Sequence, residues 1–309
     1  MLGDFLLVTG QVVTLFLMMG AGYFFARRGQ FSDLALGQMS HLLLYLVAPS
    51  VVIDALLKAD CTPELLRSLG TCFLLAAATY LLSILLVQPI FPHTCADTRD
   101  TLRFAVVYGN LGFMGLPLIQ SVLGAEAVIY CTVLLALFNI MTWSHGVILM
   151  GGRAHFSVKQ AVLNPGVIGC VIGFGLFFSG LALPSPLASA IDYVADLNTP
   201  LAMLVIGGQM ASSPLGATFR QGRLYLVCGL RLIVLPCLTA LILLPLQLDS
   251  LVYCTLVILS GCPTAGTTGM FAQQFQRDTA SAAQTVTLST LLCVLTLPVL
   301  ATAARALAG

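Results

Sequence analysis

Two stretches of this sequence decide its fold: Tyr108-Gly109-Asn110-Leu111-Gly112-Phe113-Met114-Gly115-Leu116-Pro117 and Ser260-Gly261-Cys262-Pro263-Thr264-Ala265-Gly266-Thr267-Thr268-Gly269. Each stretch places three glycines and one proline inside a long apolar segment. Glycine weakens a helix and proline removes a backbone donor, so both segments are predicted to break at these positions. A break leaves unpaired N–H and C=O groups that need partners.

The composition places these segments in a membrane. The chain has 309 residues, of which 59% are hydrophobic and 8% are charged, with a net charge of +1; its mean hydropathy is +1.01. Soluble domains are about 25% charged, so a soluble enzyme is excluded, and the small net charge excludes a nucleic-acid partner. The ten cysteines form no metal-ligand cluster, and no metal or other cofactor is expected.

Ten segments are long and apolar enough to be helices that cross a bilayer, which takes about 20 residues each. They cover approximately residues 5–26, 33–57, 65–87, 102–123, 127–150, 164–179, 188–210, 224–246, 251–272 and 279–301. The prediction is an all-α polytopic membrane protein with ten transmembrane helices. Because the connections are short, residues 1–309 are expected to form a single domain in the lipid bilayer.

The connections carry an unequal number of basic residues. Nine lie on one side: Arg27, Arg28, Arg99, Arg103, Arg153, Lys159, Arg220, Arg223 and Arg277. Three lie on the side that includes the termini: Lys58, Arg67 and Arg305. Since basic residues mark cytoplasmic loops, both termini are predicted on the extracytoplasmic side of a bacterial inner membrane.

The two halves of the chain share features at one offset. Pro49 and Pro200 are 151 residues apart, and so are Gly115 and Gly266. This offset predicts two repeats, at about residues 1–150 and 164–309. Five spans per repeat is an odd number, so the second repeat would be inverted. Inverted repeats are common in secondary transporters, although channels and membrane enzymes can also be duplicated.

The broken segments are the predicted substrate site. Beyond each break a new half-helix begins, and its unpaired N–H groups and positive dipole end favour an anion. The candidate binding residues are Asn110, Gly112, Gly115, Pro117, Cys262, Pro263, Thr264, Gly266, Thr267 and Thr268. The alternative is that the glycines only allow close packing between helices.

Three titratable residues are candidates for coupling or gating: Arg231, His145 and Asp54. Arg231 lies within a predicted span, where a charge indicates function by default, but an arginine can also extend toward the interface. Histidine is suited to proton coupling. The two broken stretches contain no acidic residue, so a Na⁺ site there would have to be built from backbone carbonyls.

These motifs resemble the auxin efflux carrier family, especially its small prokaryotic members. The first family motif, close to Asn-x-x-x-x-Gly-x-Pro, is matched by Asn110, Gly115 and Pro117; the second is matched by Pro263 with Phe271-Ala272. Other positions that look like family positions are Asn164-Pro165, Pro200-Leu201 with Gly207, and Arg231 with Pro236. The similarity therefore covers essentially the whole chain.

The resemblance implies a ten-helix carrier in which helices 4 and 9 are broken and crossed. Helices 1, 2, 6 and 7 would form a scaffold, which could also mediate a homodimer, and helices 3–5 and 8–10 a transport part that holds an organic anion. Bacterial relatives are associated with malonate or malate, and plant relatives with auxin. Bile-acid sodium symporters share this architecture, but their proline-rich crossover comes first, whereas here it comes second.

The sequence therefore predicts a secondary transporter that moves a small organic anion across the plasma membrane by alternating access. One alternative is a passive anion channel, with the breaks as its constriction. A second is a sodium-coupled symporter of the bile-acid type. A membrane enzyme would need convergent catalytic groups, and the spans contain no Asp pair or His/Glu cluster.

Overall fold

The computed structural model describes residues 2–163, 165–181, 183–211 and 215–308, and its named elements are helices. Asn164, predicted to open the sixth span, lies outside the described residues. We number the main helices α1 (Leu2–Arg27), α2 (Asp33–Leu57), α3 (Pro63–Val87), α4 (Ala96–Val107), α5 (Leu111–Leu123), α6 (Ala125–Gly151), α7 (Pro165–Ser179), α8 (Ser185–Ala211), α9 (Gly222–Leu246), α10 (Ser250–Ser260), α11 (Thr267–Gln274) and α12 (Thr279–Leu307). Two short helices, Val158–Val162 and Leu215–Thr218, lie in connections.

Seven of these helices are long and apolar enough to cross a membrane: α1, α2, α3, α6, α8, α9 and α12. Three shorter apolar helices, α5, α7 and α10, accompany them. Large apolar side chains point outward along several helices, including Leu17, Leu74, Leu241 and Leu295. An exposed apolar surface of this kind suits lipid rather than water, and the all-helical membrane class is confirmed.

Polar side chains cap the N-terminal ends of several helices. The Ser32 hydroxyl accepts from the Ala35 N–H at the start of α2, and Thr62 caps α3 in the same way. The carboxylate of Asp278 accepts from the Ser281 N–H at the start of α12. These side chains satisfy N–H groups that a helix leaves unpaired in its first turn.

Wide π-helical turns precede three prolines. They are Leu43–Val47 before Pro49, Leu111–Gly115 before Pro117, and Leu230–Val234 before Pro236. A proline cannot donate to the preceding turn, and a widened turn accommodates the missing hydrogen bond. One of these turns contains Arg231, and another begins after Asn110.

Glycines bring α1 and α8 into close contact. A Cβ atom on Gly22 would lie 2.2 Å from the Leu204 carbonyl oxygen, and one on Gly207 would lie 1.9 Å from that of Met19. The same helix group includes α2 and α7, and α7 packs on the second half of α2. These are the four helices that the resemblance assigns to a scaffold.

Replacing Gly22 by Ala should destabilise this contact. The new methyl group would overlap the backbone of α8, and overpacking costs about 1–3 kcal/mol. The matched control is Gly20→Ala, because a Cβ atom there meets nothing within 4 Å. Thermal unfolding in detergent should give a lower Tm for Gly22→Ala than for Gly20→Ala; equal values would contradict the close contact.

Candidate functional site

The two predicted breaks are present, and the broken stretches pair with each other. The helical hydrogen bonding between α4 and α5 stops at Tyr108–Asn110, and that between α10 and α11 stops at Gly261–Gly266. The Asn110 N–H donates to the Pro263 carbonyl at 2.7 Å, and the Ala265 N–H donates to the Tyr108 carbonyl at 2.9 Å. The stretches therefore form a short antiparallel bridge. We call residues 108–110 and 261–266 the crossover.

The last four carbonyls of α4 all find donors. A helix end leaves four such groups unpaired, and here their partners come from the crossover and from α9. The donors are the Tyr108 N–H to Phe104, the Thr264 hydroxyl to Ala105, and the Arg231 guanidinium to Val106 and Val107. Protein groups therefore satisfy the whole C-terminal end of α4.

Arg231 connects the two broken helices. It is 5% exposed, and its Nε donates to the Cys262 carbonyl at 2.8 Å while Nη1 reaches the end of α4. None of the described carboxylates forms an ion pair with it. Gly109 leaves space for the guanidinium, since a Cβ atom there would lie 1.7 Å from Nη2.

A cavity of about 160 Å³ lies beside the crossover, where α5 and α11 begin, and Arg231 is not among its lining residues. The crossover and these helix starts form one wall, and α2 and α8 contribute polar groups to the other. The lining residues are Ser40, Leu44, Asn110, Gly112, Phe113, Phe138, Gln209, Ala265, Gly266, Thr267 and Met270. None of these lining residues is charged.

Unpaired donors gather at this cavity. The backbone N–H groups of Gly112, Gly266 and Thr267 donate to no acceptor within the described residues. The Asn110 carbonyl oxygen Oδ1 accepts from the Phe113 N–H at 3.2 Å, which leaves its NH₂ group without an acceptor in the described part of the chain. The Thr267 hydroxyl has no partner there either, but its oxygen is buried. This arrangement can bind an anion through backbone and amide donors.

The predicted binding residues fall into two groups. Asn110, Gly112, Gly266 and Thr267 line the cavity. The others are buried in the packing around it and do not line it: Gly115, Pro117, Cys262, Pro263, Thr264 and Thr268. Thr264 illustrates the difference, because its hydroxyl already donates to the Ala105 carbonyl at 3.0 Å.

His145 and Asp54 do not line this cavity. The Tyr108 hydroxyl donates to the Met141 carbonyl, and His145 Nδ1 lies 2.9 Å from the same hydroxyl oxygen. Asp54 forms an ion pair with Lys58, which bridges to Asp192 at 2.6 Å. Asp54 and Lys58 line a separate cavity of about 450 Å³. The structure thus does not bring these two candidates into the crossover cavity.

Ser40 and Gln209 were not among the predicted site residues. The Gln209 amide donates to the Ser40 hydroxyl at 3.3 Å, which places a polar pair opposite the crossover. Each is a polar residue in a mostly apolar predicted span. A polar residue in an apolar span is a sequence feature that could have identified each of them. Only the tertiary packing of α2 against α8 shows that the two share a cavity.

Replacing Gly109 by Ala should displace the Arg231 guanidinium. The methyl group would overlap Nη2, and hydrogen bonds from a charged group contribute about 1.5–3 kcal/mol each. Gly229→Ala is the matched control on α9, because its Cβ atom would meet nothing within 4 Å. We expect a markedly lower Tm in detergent for Gly109→Ala than for the control, and an unchanged Tm would argue against the guanidinium clamp.

Comparison with known proteins identifies the family of this chain. The sequence profile described as "Membrane transport protein" matches residues 7–160 and 153–301. A Rhizobium meliloti protein named "Putative malonate transporter" is 26% identical over 308 residues, covering 94% of this chain and 93% of that protein. A Methanothermobacter thermautotrophicus "Uncharacterized transporter" is 22% identical, covering 94% of this chain and 96% of its own length. The chain therefore belongs to the membrane transport protein family of the auxin efflux carriers.

Proposed function

We propose that this protein is a secondary transporter for a small organic anion. The observation that carries the proposal is the set of unpaired donors on one cavity: the N–H groups of Gly112, Gly266 and Thr267, with the amide of Asn110. The N-terminal end of a helix carries about half a positive charge, and two helices begin at this cavity. The family and both relatives are transporters, not enzymes.

The size of the cavity favours a small mono- or dicarboxylate. Its volume of about 160 Å³ is similar to the ~150 Å³ of an engineered apolar cavity that holds benzene. One carboxylate would meet the crossover donors, and a second polar group could reach Gln209 and Ser40 on the facing wall. Malonate and malate have this shape, and the name of the Rhizobium relative supports malonate. An auxin-like carboxylate is the larger alternative.

The architecture proposed for this function has ten spans in two inverted repeats. The three shorter apolar helices complete the seven long ones, with α4–α5 and α10–α11 as broken spans. The cavity lies between the crossover and the helices α2 and α8. Movement of the crossover helices relative to α1, α2, α7 and α8 would expose the cavity to each side in turn, which is alternating access.

Substitutions of Asn110 test the site. Asn110→Asp keeps an oxygen that can accept from the Phe113 N–H but places a negative charge where the anion binds. Asn110→Ser keeps a side-chain oxygen that can cap the start of α5, but it removes the NH₂ group that would donate to the anion. An amide hydrogen bond to a charged group contributes about 1.5–3 kcal/mol, so Asn110→Ser should raise the half-saturating concentration about 10- to 100-fold. Asn110→Asp should bind the anion more weakly still, because the two negative charges repel each other.

The measurement is uptake of labelled malonate, malate, indole acetate and acetate into proteoliposomes, with counterflow. Accelerated counterflow identifies a carrier, whereas a passive channel shows none. The matched control is Thr132→Ser, since the Thr132 hydroxyl is buried away from the cavity and bonds the Ile129 carbonyl. If well-folded Asn110→Asp protein had the affinity of the wild type, Asn110 would not be part of the binding site.

Two native cysteines test the proposed orientation. Cys61 and Cys95 are both exposed, and they lie in consecutive connections, before α3 and before α4. The excess of basic residues on one side places Cys61 outside the cell and Cys95 in the cytoplasm. In a Cys237→Ser background, an impermeant maleimide should label Cys95→Ser protein in intact cells and Cys61→Ser protein only after permeabilisation. The opposite pattern would invert the topology and place the termini in the cytoplasm.

A further inference from the structure

The C-terminal ends of broken transporter helices can serve as cation sites. Half-helix C-terminal ends and unwound carbonyls coordinate Na⁺ or H⁺ in several secondary transporters, because a helix carries partial negative charge at that end. Here α4 and α10 both end at the crossover, and none of their residues lines the substrate cavity. A positive group close to these ends is therefore stabilised by their carbonyls.

The Arg231 side chain supplies this positive charge. Its Nη1 lies 3.3 Å from the Val106 carbonyl oxygen and 3.2 Å from that of Val107, and its Nε lies 2.8 Å from that of Cys262. These carbonyls belong to both broken spans. A buried charge is costly unless hydrogen bonds and opposite charge compensate it, and no described carboxylate pairs with Arg231. The helix ends provide the compensation.

This cation is part of the protein and cannot leave. An arginine keeps its charge in proteins, and the backbone at Gly109 is shaped around the guanidinium, with no space for a Cβ atom. A Na⁺ ion that coordinated the same carbonyls would have to displace a group that is covalently attached to α9. The backbone carbonyls that could otherwise coordinate Na⁺ at this position already accept hydrogen bonds from Arg231.

We propose that Arg231 is a permanent cation that takes the place of a coupling Na⁺ at the crossover, so that the protein binds and moves its anion without Na⁺. Arg231 is then a positioning residue, since it does not line the substrate cavity. It holds the C-terminal ends of α4 and α10 together while the N-terminal ends of α5 and α11 face the substrate. The transport measurement rests on the function proposed above, but the stability measurement does not.

The first test uses the wild-type protein in three salts. Malonate uptake into proteoliposomes at zero membrane potential should proceed at the same rate in Na⁺, K⁺ and choline media. The Tm of the purified protein should also be the same in the three chloride salts, because a ligand that binds only the folded state would raise it. Uptake or a Tm that depends on Na⁺ would overturn the proposal.

The second test removes the charge. Arg231→Met should lower the maximal uptake rate about 10- to 100-fold, from the loss of a charged hydrogen-bonding group, and should lower the Tm. Low-millimolar guanidinium should then raise the Tm of Arg231→Met but not that of Arg223→Met, the control for an exposed arginine on the same helix. Absence of a rise with guanidinium or Na⁺ would mean that the carbonyls form no cation site, and the proposal would be wrong.

Arg231→Lys keeps the charge with fewer donors. If Arg231→Met cannot be purified, Arg231→Lys decides the same point: its Tm should be lower than that of the wild type and independent of Na⁺, and a Na⁺-dependent Tm contradicts the proposal. If the wild-type protein moves no anion in any medium, the proposed function fails. The Tm comparison then still decides the role of Arg231.

Discussion

The antiparallel bridge at the crossover, held by the guanidinium of Arg231, is the interaction on which the rest of this structure depends. Two helices break within the apolar part of the chain, where lipid and apolar side chains offer no hydrogen bonds to the exposed backbone groups. Each unsatisfied group there would cost several kcal/mol. The broken stretches satisfy one another between residues 108–110 and 263–265, and Arg231 donates to three further carbonyls, those of Val106, Val107 and Cys262.

The same interaction separates charge across the crossover. The negative end of α4 and the Cys262 carbonyl, just beyond α10, contact Arg231, and residues at the positive ends of α5 and α11 line the cavity. An anion in the cavity would therefore meet helix N-terminal ends, neutral donors and apolar side chains, and none of the lining residues is acidic. Loss of the antiparallel bridge would affect both the Arg231 contacts and the cavity. The reason is that Asn110, directly before α5, donates its N–H to the Pro263 carbonyl.

Residues within the broken stretches illustrate the limit of prediction from sequence. Asn110 and Thr267 were expected at the site, and both line the cavity. Thr264 was expected as well, but its hydroxyl is directed to the Ala105 carbonyl. The sequence places these threonines three residues apart in an irregular stretch, where no helical period fixes the direction of a side chain. Only the pairing with α4 decides which hydroxyl is free.

The sequence by itself determined the class of the protein, its helical segments and the positions of both breaks, because apolar length, glycine and proline act locally on the backbone. The tertiary structure decided which groups the breaks expose. Ser40 and Gln209 meet on one wall of the cavity although they are 169 residues apart, and Arg231 reaches carbonyls 124 and 125 residues away. Such contacts follow from how the helices pack in space, which no local pattern specifies.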